Sequence, residues 1–299
     1  RGVGLALAGV VAEVGSGHAD LKVGDRVFGN ARGTLAEFVK CDAGHLAKIP
    51  DGLSFNEAAA MPTVYLSAYQ GFVNHGFKAG MKTLVIGASG GTGTAGVQLA
   101  KALGAGEIVG VCSGKNEEFV KSLGADRVVD YTKTNVLDAM GEDYFDFAFD
   151  CATASGGGEN YVSQCDKVLK RGAEEGQGMY TALNGSPLAW IKHLTKTENA
   201  KRKLLLANHS TKDLQAITGL MTKDGDKELA FRPIIDEVFP FTPEGVENAF
   251  SKLHTRRTRG KIVVAIKADD EPSNTSASVP GTSDSADSST APAQAVAKE

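Results

Sequence analysis

The chain is poor in the features that would declare a metal centre, a membrane span or a nucleic-acid surface. Its 299 residues include four cysteines, Cys41, Cys112, Cys151 and Cys165, with no C-x-x-C pair among them. Thiol ligands of a structural metal come closely spaced, so these four read as core or strand residues. The six histidines are just as dispersed. His45 precedes an apolar run and His18 sits in a polar turn. No apolar run approaches the ~20 residues of a membrane-spanning helix. Positive charge is not in excess: 32 Lys and Arg face 36 Asp and Glu, a net charge of −4. That balance argues against general nucleic-acid binding. A hydrophobic share of 42% is enough for a full core, and the length suits two domains or one domain with appendages.

Glycine, in contrast, is abundant and locally dense. In residues 83–103, TLVIGASGGTGTAGVQLAKAL, the apolar run Leu84, Val85 and Ile86 meets a glycine-rich turn that runs into a helical pattern. Gly87, Gly90, Gly91 and Gly93 remove the Cβ atoms that would hold an anion away from the backbone. The following helix points its unpaired N–H groups and positive dipole end at the same place. Gly96 lets the helix pack close to the strand. Ala95, Leu99, Ala102 and Leu103 recur at helical spacing, and Gly104 sits where a C-terminal cap is expected. Further strands are expected at 108–112, 127–130 and 145–150, with a helix at 116–123. Strand and helix alternating at this length predict an α/β fold with a doubly wound parallel sheet, whose ligands sit at the carboxyl ends of the strands. The turn formed by Ser89, Gly90, Gly91, Thr92 and Gly93 is therefore the expected diphosphate loop of a dinucleotide.

The tip of the second strand chooses between NAD and NADP. An NAD site places a carboxylate there, about 20 residues after the glycines, to bond the ribose 2′-hydroxyl. This chain has Val111, Cys112, Ser113, Gly114, Lys115 and Asn116. Ser113 supplies a hydrogen-bond donor and Lys115 a positive charge, both suited to a 2′-phosphate. NADP(H) is the expected cofactor. A shifted frame, Gly91-x-Gly93-x-x-Gly96, brings Glu117 near the discriminating position, although Glu117 and Glu118 also suit the first turn of a helix. For Lys115 the alternative is an ordinary solvated lysine.

With these residues in place, the chain resembles the medium-chain dehydrogenase/reductases, and among them the zinc-free quinone oxidoreductases, including the reticulon-interacting mitochondrial branch. The matching segments are AGVVAEVGSG (8–17), LKVGDRVFG (21–29), GTLAEFV (33–39), LAKIPDGLSFNEAAAMPTVYLSAYQGF (46–72), the glycine turn, KSLGADRVVDY (121–131) and RGKIVV (259–264). The resemblance implies a Rossmann-type sheet inserted in a partial GroES-like β-barrel domain. The expected organisation is barrel at 1–60, dinucleotide-binding domain at 61–225, a return to the barrel at 226–266 and a disordered tail at 267–299. Ser54 and Glu57 form a capping box opening a helix through Ala60. The chain opens at Arg1, where family members carry more barrel upstream, so an N-terminal fragment is expected and any targeting segment is unreadable.

The same resemblance bears on the chemistry. Zinc members place ligands where this chain has Leu5, Ala6 and Thr63, and none of these coordinates zinc well. No metal is expected. A site that does not polarise a simple carbonyl with zinc suits a quinone or an α,β-unsaturated carbonyl, with hydride from NADPH and a proton from solvent. Thr63 and Ser67 fall where family members approach the nicotinamide; hydroxyls bonding their own helix backbone are the alternative. Tyr131 resembles a family tyrosine beside the adenosine 2′-phosphate, or else an aromatic covering the sheet. Asp146 and Asp150 flank the fourth strand and do not read as an acid/base dyad. The alternatives to a small-molecule quinone or enone reductase are an enoyl-thioester reductase and a non-catalytic nucleotide-binding interaction protein. Family members commonly pair through the cofactor domain, so a homodimer is possible. The basic patch at 196–203 reads as a solvated helix face, and the stretch from Gly172 to Gly178 replaces a short turn.

Overall fold

Strands buried on both faces build the centre of the molecule. A computed structural model describes residues 2–15, 20–153, 160–172, 178–197, 200–222 and 228–267. His18, residues 173–177 and all of the expected tail except Lys267 lie outside the described residues.

In chain order the first elements are β1 (Ala6–Val10), β2 (Arg26–Asn30) and β3 (Leu46–Lys48), a three-stranded antiparallel sheet in that order. They stand where the barrel is expected. Two helices follow, α1 (Phe55–Ala60) and α2 (Pro62–Val73). Ser54 accepts from the Glu57 N–H while Glu57 accepts from the Ser54 N–H, the capping box the sequence signals. Next come β4 (Lys82–Ile86), α3 (Gly91–Ala102), β5 (Glu107–Cys112), α4 (Glu117–Ser122), β6 (Arg127–Asp130), α5 (Val136–Met140) and β7 (Phe147–Asp150). The lobe closes with α6 (Val162–Val168), β8 (Met179–Ala182), α7 (Pro187–Leu194), β9 (Arg202–Leu204) and α8 (Thr211–Met221).

Strands β4 to β9 make one parallel six-stranded sheet in the order β6-β5-β4-β7-β8-β9. Chain order reverses between β4 and β7, which opens a crevice at their carboxyl ends. Leu84 and Ile86 face one apolar cluster with Val109, Val111 and Ala148; Val85 faces the other with Phe147, Phe149, Val97 and Leu99. Both faces are covered by helices, which is why these strands read as near-continuous apolar runs. Gly96 holds α3 against the sheet: a methyl group there would lie 3.0 Å from the Phe149 ring.

The last elements are β10 (Ile235–Pro240), α9 (Pro243–His254) and β11 (Lys261–Ala265). Sequence reading expects residues 232–241 and 261–266 to return into the barrel. The strands pair in parallel with each other, as a separate two-stranded sheet, and both pack against α1. Arg232 adds a polar contact to the N-terminal part, donating to Glu57 Oε1 at 2.6 Å and to Gly52 O at 3.0 Å. The basic patch also differs from expectation, because Arg202 and Lys203 lie in the edge strand β9 rather than on a helix.

Candidate functional site

The glycine turn leaves β4 with Gly87 at φ +78, a left-handed conformation that favours glycine. Gly87 and Ala88 both donate to Val111 O at 3.0 Å, which ties the turn to the end of β5. Gly90 is the N-cap of α3 and donates to Gly87 O at 3.0 Å. A side chain on Gly93 would collide with Gly87 O, so the turn closes this tightly only with glycine there. Gly91, Thr92 and Gly93 begin the helix, and their N–H groups have no partner within it. Ser89, Gly90, Gly91 and Thr92 are half-buried and open to a ligand. A turn of this shape at a helix N-terminus is suited to hold an anion, a candidate cradle.

The tip of β5 lies one strand over. Ser113 caps a short 3₁₀ turn through Asn116, whose Nδ2 donates to Ser113 Oγ at 3.3 Å. Lys115 is exposed, and Tyr131 is 55% exposed with its N–H donating to Cys112 O at 3.2 Å. Arg259 joins them from a distant part of the chain: its Nε donates to Asn116 Oδ1 at 2.8 Å and its Nη2 to Lys115 O at 3.1 Å. Gly260 then donates to Ser89 O at 3.1 Å, so residues 259–260 bridge the glycine turn and the β5 tip. Lys115, Tyr131 and Arg259 therefore share one rim with Ser89–Gly93. Glu117 is elsewhere occupied: it stands in the first turn of α4, 2.8 Å from Lys121 Nζ. Asp130, at the end of β6, also stands beside the rim and accepts from the Gly114 N–H. Its carboxyl is held below the usual range by the Thr132 hydroxyl, then by the N–H groups of Thr132 and Gly114, and by Lys133.

The other end of the cradle meets β11 and α2. A methyl group on Gly91 would lie 2.8 Å from Lys261 Cδ and 3.5 Å from Val64 Cγ1. Lys261 is half-buried, and burial alone pushes its ammonium below the ordinary lysine value of 10.5. Beside Val64, Thr63 is exposed and its Oγ1 accepts from Asn30 Nδ2 at 3.1 Å. Ser67 is buried and donates to Thr63 O at 2.8 Å, which turns its hydroxyl into its own helix. Among the described residues no three His, Cys, Asp or Glu side chains converge on a metal-sized site. Cys112 is pushed up to about 11, first by burial and then by Asp130 and Glu117, and burial also raises Cys151 and Cys165. Asp150 accepts from the Tyr180 hydroxyl at 2.6 Å and from two N–H groups, Ala152 and Thr153, at 2.8 Å; it pins the loop after β7.

Three residues of this site escape sequence reasoning: Asn30, Arg259 and Lys261. The last two lie inside RGKIVV, which serves as a family match without showing where its cations go. Only the fold carries residue 259 to residue 115.

Comparison with known proteins gives a consistent picture. The zinc-binding dehydrogenase family pattern matches residues 123–264. An NADPH-dependent alkenal/one oxidoreductase of Arabidopsis thaliana is 33% identical over 87% of this chain and 63% of its own length. The chain thus spans less than two thirds of that relative. The mitochondrial NAD(P)H oxidoreductase RTN4IP1 of Mus musculus is 31% identical over 88% of this chain and 70% of its own. The quinone oxidoreductase structure from Coxiella burnetii superposes with a TM-score of 0.74 at 26% identity, covering 89% of this chain and 80% of that one. The 3-2-1-4-5-6 strand order, the open glycine turn and these likenesses together identify the chain as a member of the medium-chain dehydrogenase/reductase superfamily.

Proposed function

We propose that the chain binds NADP(H) across the carboxyl ends of β4 and β5 and reduces a quinone or an α,β-unsaturated carbonyl without a metal. The observation that carries this reading is the rim where Ser113, Lys115, Tyr131 and Arg259 gather beside an accessible glycine turn. Two cations, a phenol and a hydroxyl suit a 2′-phosphate. A Cβ at Gly93 would strike Gly87 O, so glycine there lets the turn close and turn its N–H groups towards a diphosphate. Once bound, the reduced nicotinamide supplies the hydride. Ser89, Gly90, Gly91, Thr92 and Gly93 hold the diphosphate, and Lys261 adds a positive charge at the same turn. Asp150 and Thr153 fix the loop that lies against Gly87.

The names of the relatives support the substrate class: an alkenal/one oxidoreductase among the sequences and a quinone oxidoreductase among the structures. Metal independence is supported by Leu5, Ala6 and Thr63 at the places where zinc members carry ligands. Pairing of two copies through the cofactor lobe is supported by the open edge of β9 and the exposed Leu188, Ile191 and Leu194 of α7 beside it. The test is NADPH oxidation by the whole protein with a benzoquinone or an alkenone, before and after dialysis against a chelator. Turnover that survives dialysis is expected. Activity lost on dialysis and restored by zinc would contradict the reading.

A further inference from the structure

The hydrogen bond between Asn30 and Thr63 has a direction, and that direction has a chemical consequence. Asn30 is 1% exposed and ends β2. Its Nδ2 makes two bonds, to Leu5 O and to Thr63 Oγ1, both at 3.1 Å. Leu5 O can only accept, so the amide cannot be turned over without setting two acceptors against each other. Both Nδ2 hydrogens are thereby committed, and Oδ1 is buried with no partner among the described residues. Thr63 Oγ1 must be the acceptor in this pair. Its own hydrogen has no acceptor among the described residues. Many helical threonines bond the carbonyl one turn back, and this one does not.

The position of that free hydrogen matters. Thr63 is exposed and is the second residue of α2, a 12-residue helix, so the positive end of the helix dipole lies beneath it. Its neighbour Val64 touches the place where Gly91 opens the diphosphate cradle. A dinucleotide held with its adenosine at the β5 tip and its diphosphate on the glycine turn would have its other half on this side. When an enone takes up hydride at its β-carbon, the C=C electron pair shifts and leaves negative charge on the carbonyl oxygen. A proton from water at the α-carbon then completes the reduction. The oxygen needs a donor while it is charged.

We propose that Thr63 is that donor, a catalytic hydroxyl whose proton is aimed outward because Asn30, a positioning residue, fills its acceptor side. The inference rests on the reductase reading above. Thr63→Val should lower kcat for an alkenone by roughly 100-fold or more, the usual effect of deleting one oxyanion donor, with KM and NADPH affinity little changed. Thr63→Ser should keep most of the rate. Asn30→Asp offers an acceptor where a donor stood, so the Thr63 proton turns inward; its loss should match that of Thr63→Val, and the double variant should lose no more. A second readout needs no turnover. Binding of 4-nitrophenolate to the protein with NADP⁺, followed by its visible absorbance, should weaken about tenfold in Thr63→Val, as expected for a hydrogen bond to a charged oxygen. Should Thr63→Val keep both kcat and phenolate affinity, or Asn30→Asp stay fully active, the assignment is overturned while the reductase reading stands. A wild-type protein that binds no NADPH and reduces no enone would overturn both.

Discussion

Lys261 is a charge in an unfavourable place. Burial lowers its pKa, and no charged neighbour contributes to offset that. A half-buried ammonium with no ion-pair partner among the described residues destabilises the fold unless something anionic completes it, and the candidate diphosphate turn is its neighbour. Lys261→Met keeps the stem and deletes the charge. It should raise the melting temperature of the cofactor-free protein while weakening NADPH and NADH by the same factor, about tenfold, because both carry the diphosphate. The stability gain has a pH signature. A lysine whose folded pKa is lowered costs stability wherever the unfolded chain is protonated and the folded site resists protonation. The gain is thus full below the lowered pKa, shrinks as pH climbs through it and vanishes above 10.5, the ordinary value. Melting curves of both proteins across that range check it. Lys115 and Arg259 should behave differently. Lys115→Ala and Arg259→Met are each expected to weaken NADPH by roughly tenfold and leave NADH nearly untouched, which titration calorimetry can separate.

At the scale of elements, β8 contains a residue at odds with its surroundings. Thr181 is fully buried in the parallel sheet, and its Oγ1 has no hydrogen-bond partner among the described residues. Thr181→Val replaces the orphaned hydroxyl with a methyl of similar size. It should stabilise the protein by about 1 kcal/mol, an increase of about 2–4 °C in Tm by calorimetry. The strands around it were legible in the sequence for a local reason. Leu84, Val85 and Ile86, the second strand at 107–112 and Arg127–Asp130 are short apolar runs bounded by glycine or charge, and the structure puts strands there. The capping box of Ser54 and Glu57 and the close approach at Gly96 are local too. Pairing is not local. Residues 235–240 and 261–265 read as strands, but nothing in their composition says that they pair with each other and not with β1 to β3. Lys201, Arg202 and Lys203 carry charge at a spacing that fits a helix face as well as an edge strand, and the sheet decides. The site divides the same way. Ser89–Gly93, Ser113 and Lys115 are candidates that follow from strand ends, and Tyr131 follows from the family resemblance; Asn30, Arg259 and Lys261 arrive by tertiary contact.

Over the whole molecule, the proposed function depends on parts far apart in sequence meeting at one seam. The cofactor lobe supplies the glycine turn and the β5 tip, the final strand brings Arg259 and Lys261, and the N-terminal sheet presents Asn30 to Thr63. The central claim is that this assembled rim reads a 2′-phosphate. Titration calorimetry of the whole protein with NADPH and with NADH, at one ionic strength, addresses it directly. NADPH is expected to bind at least about tenfold more tightly, the worth of one or two charge-assisted hydrogen bonds. Equal affinities, or tighter binding of NADH, would contradict the claim.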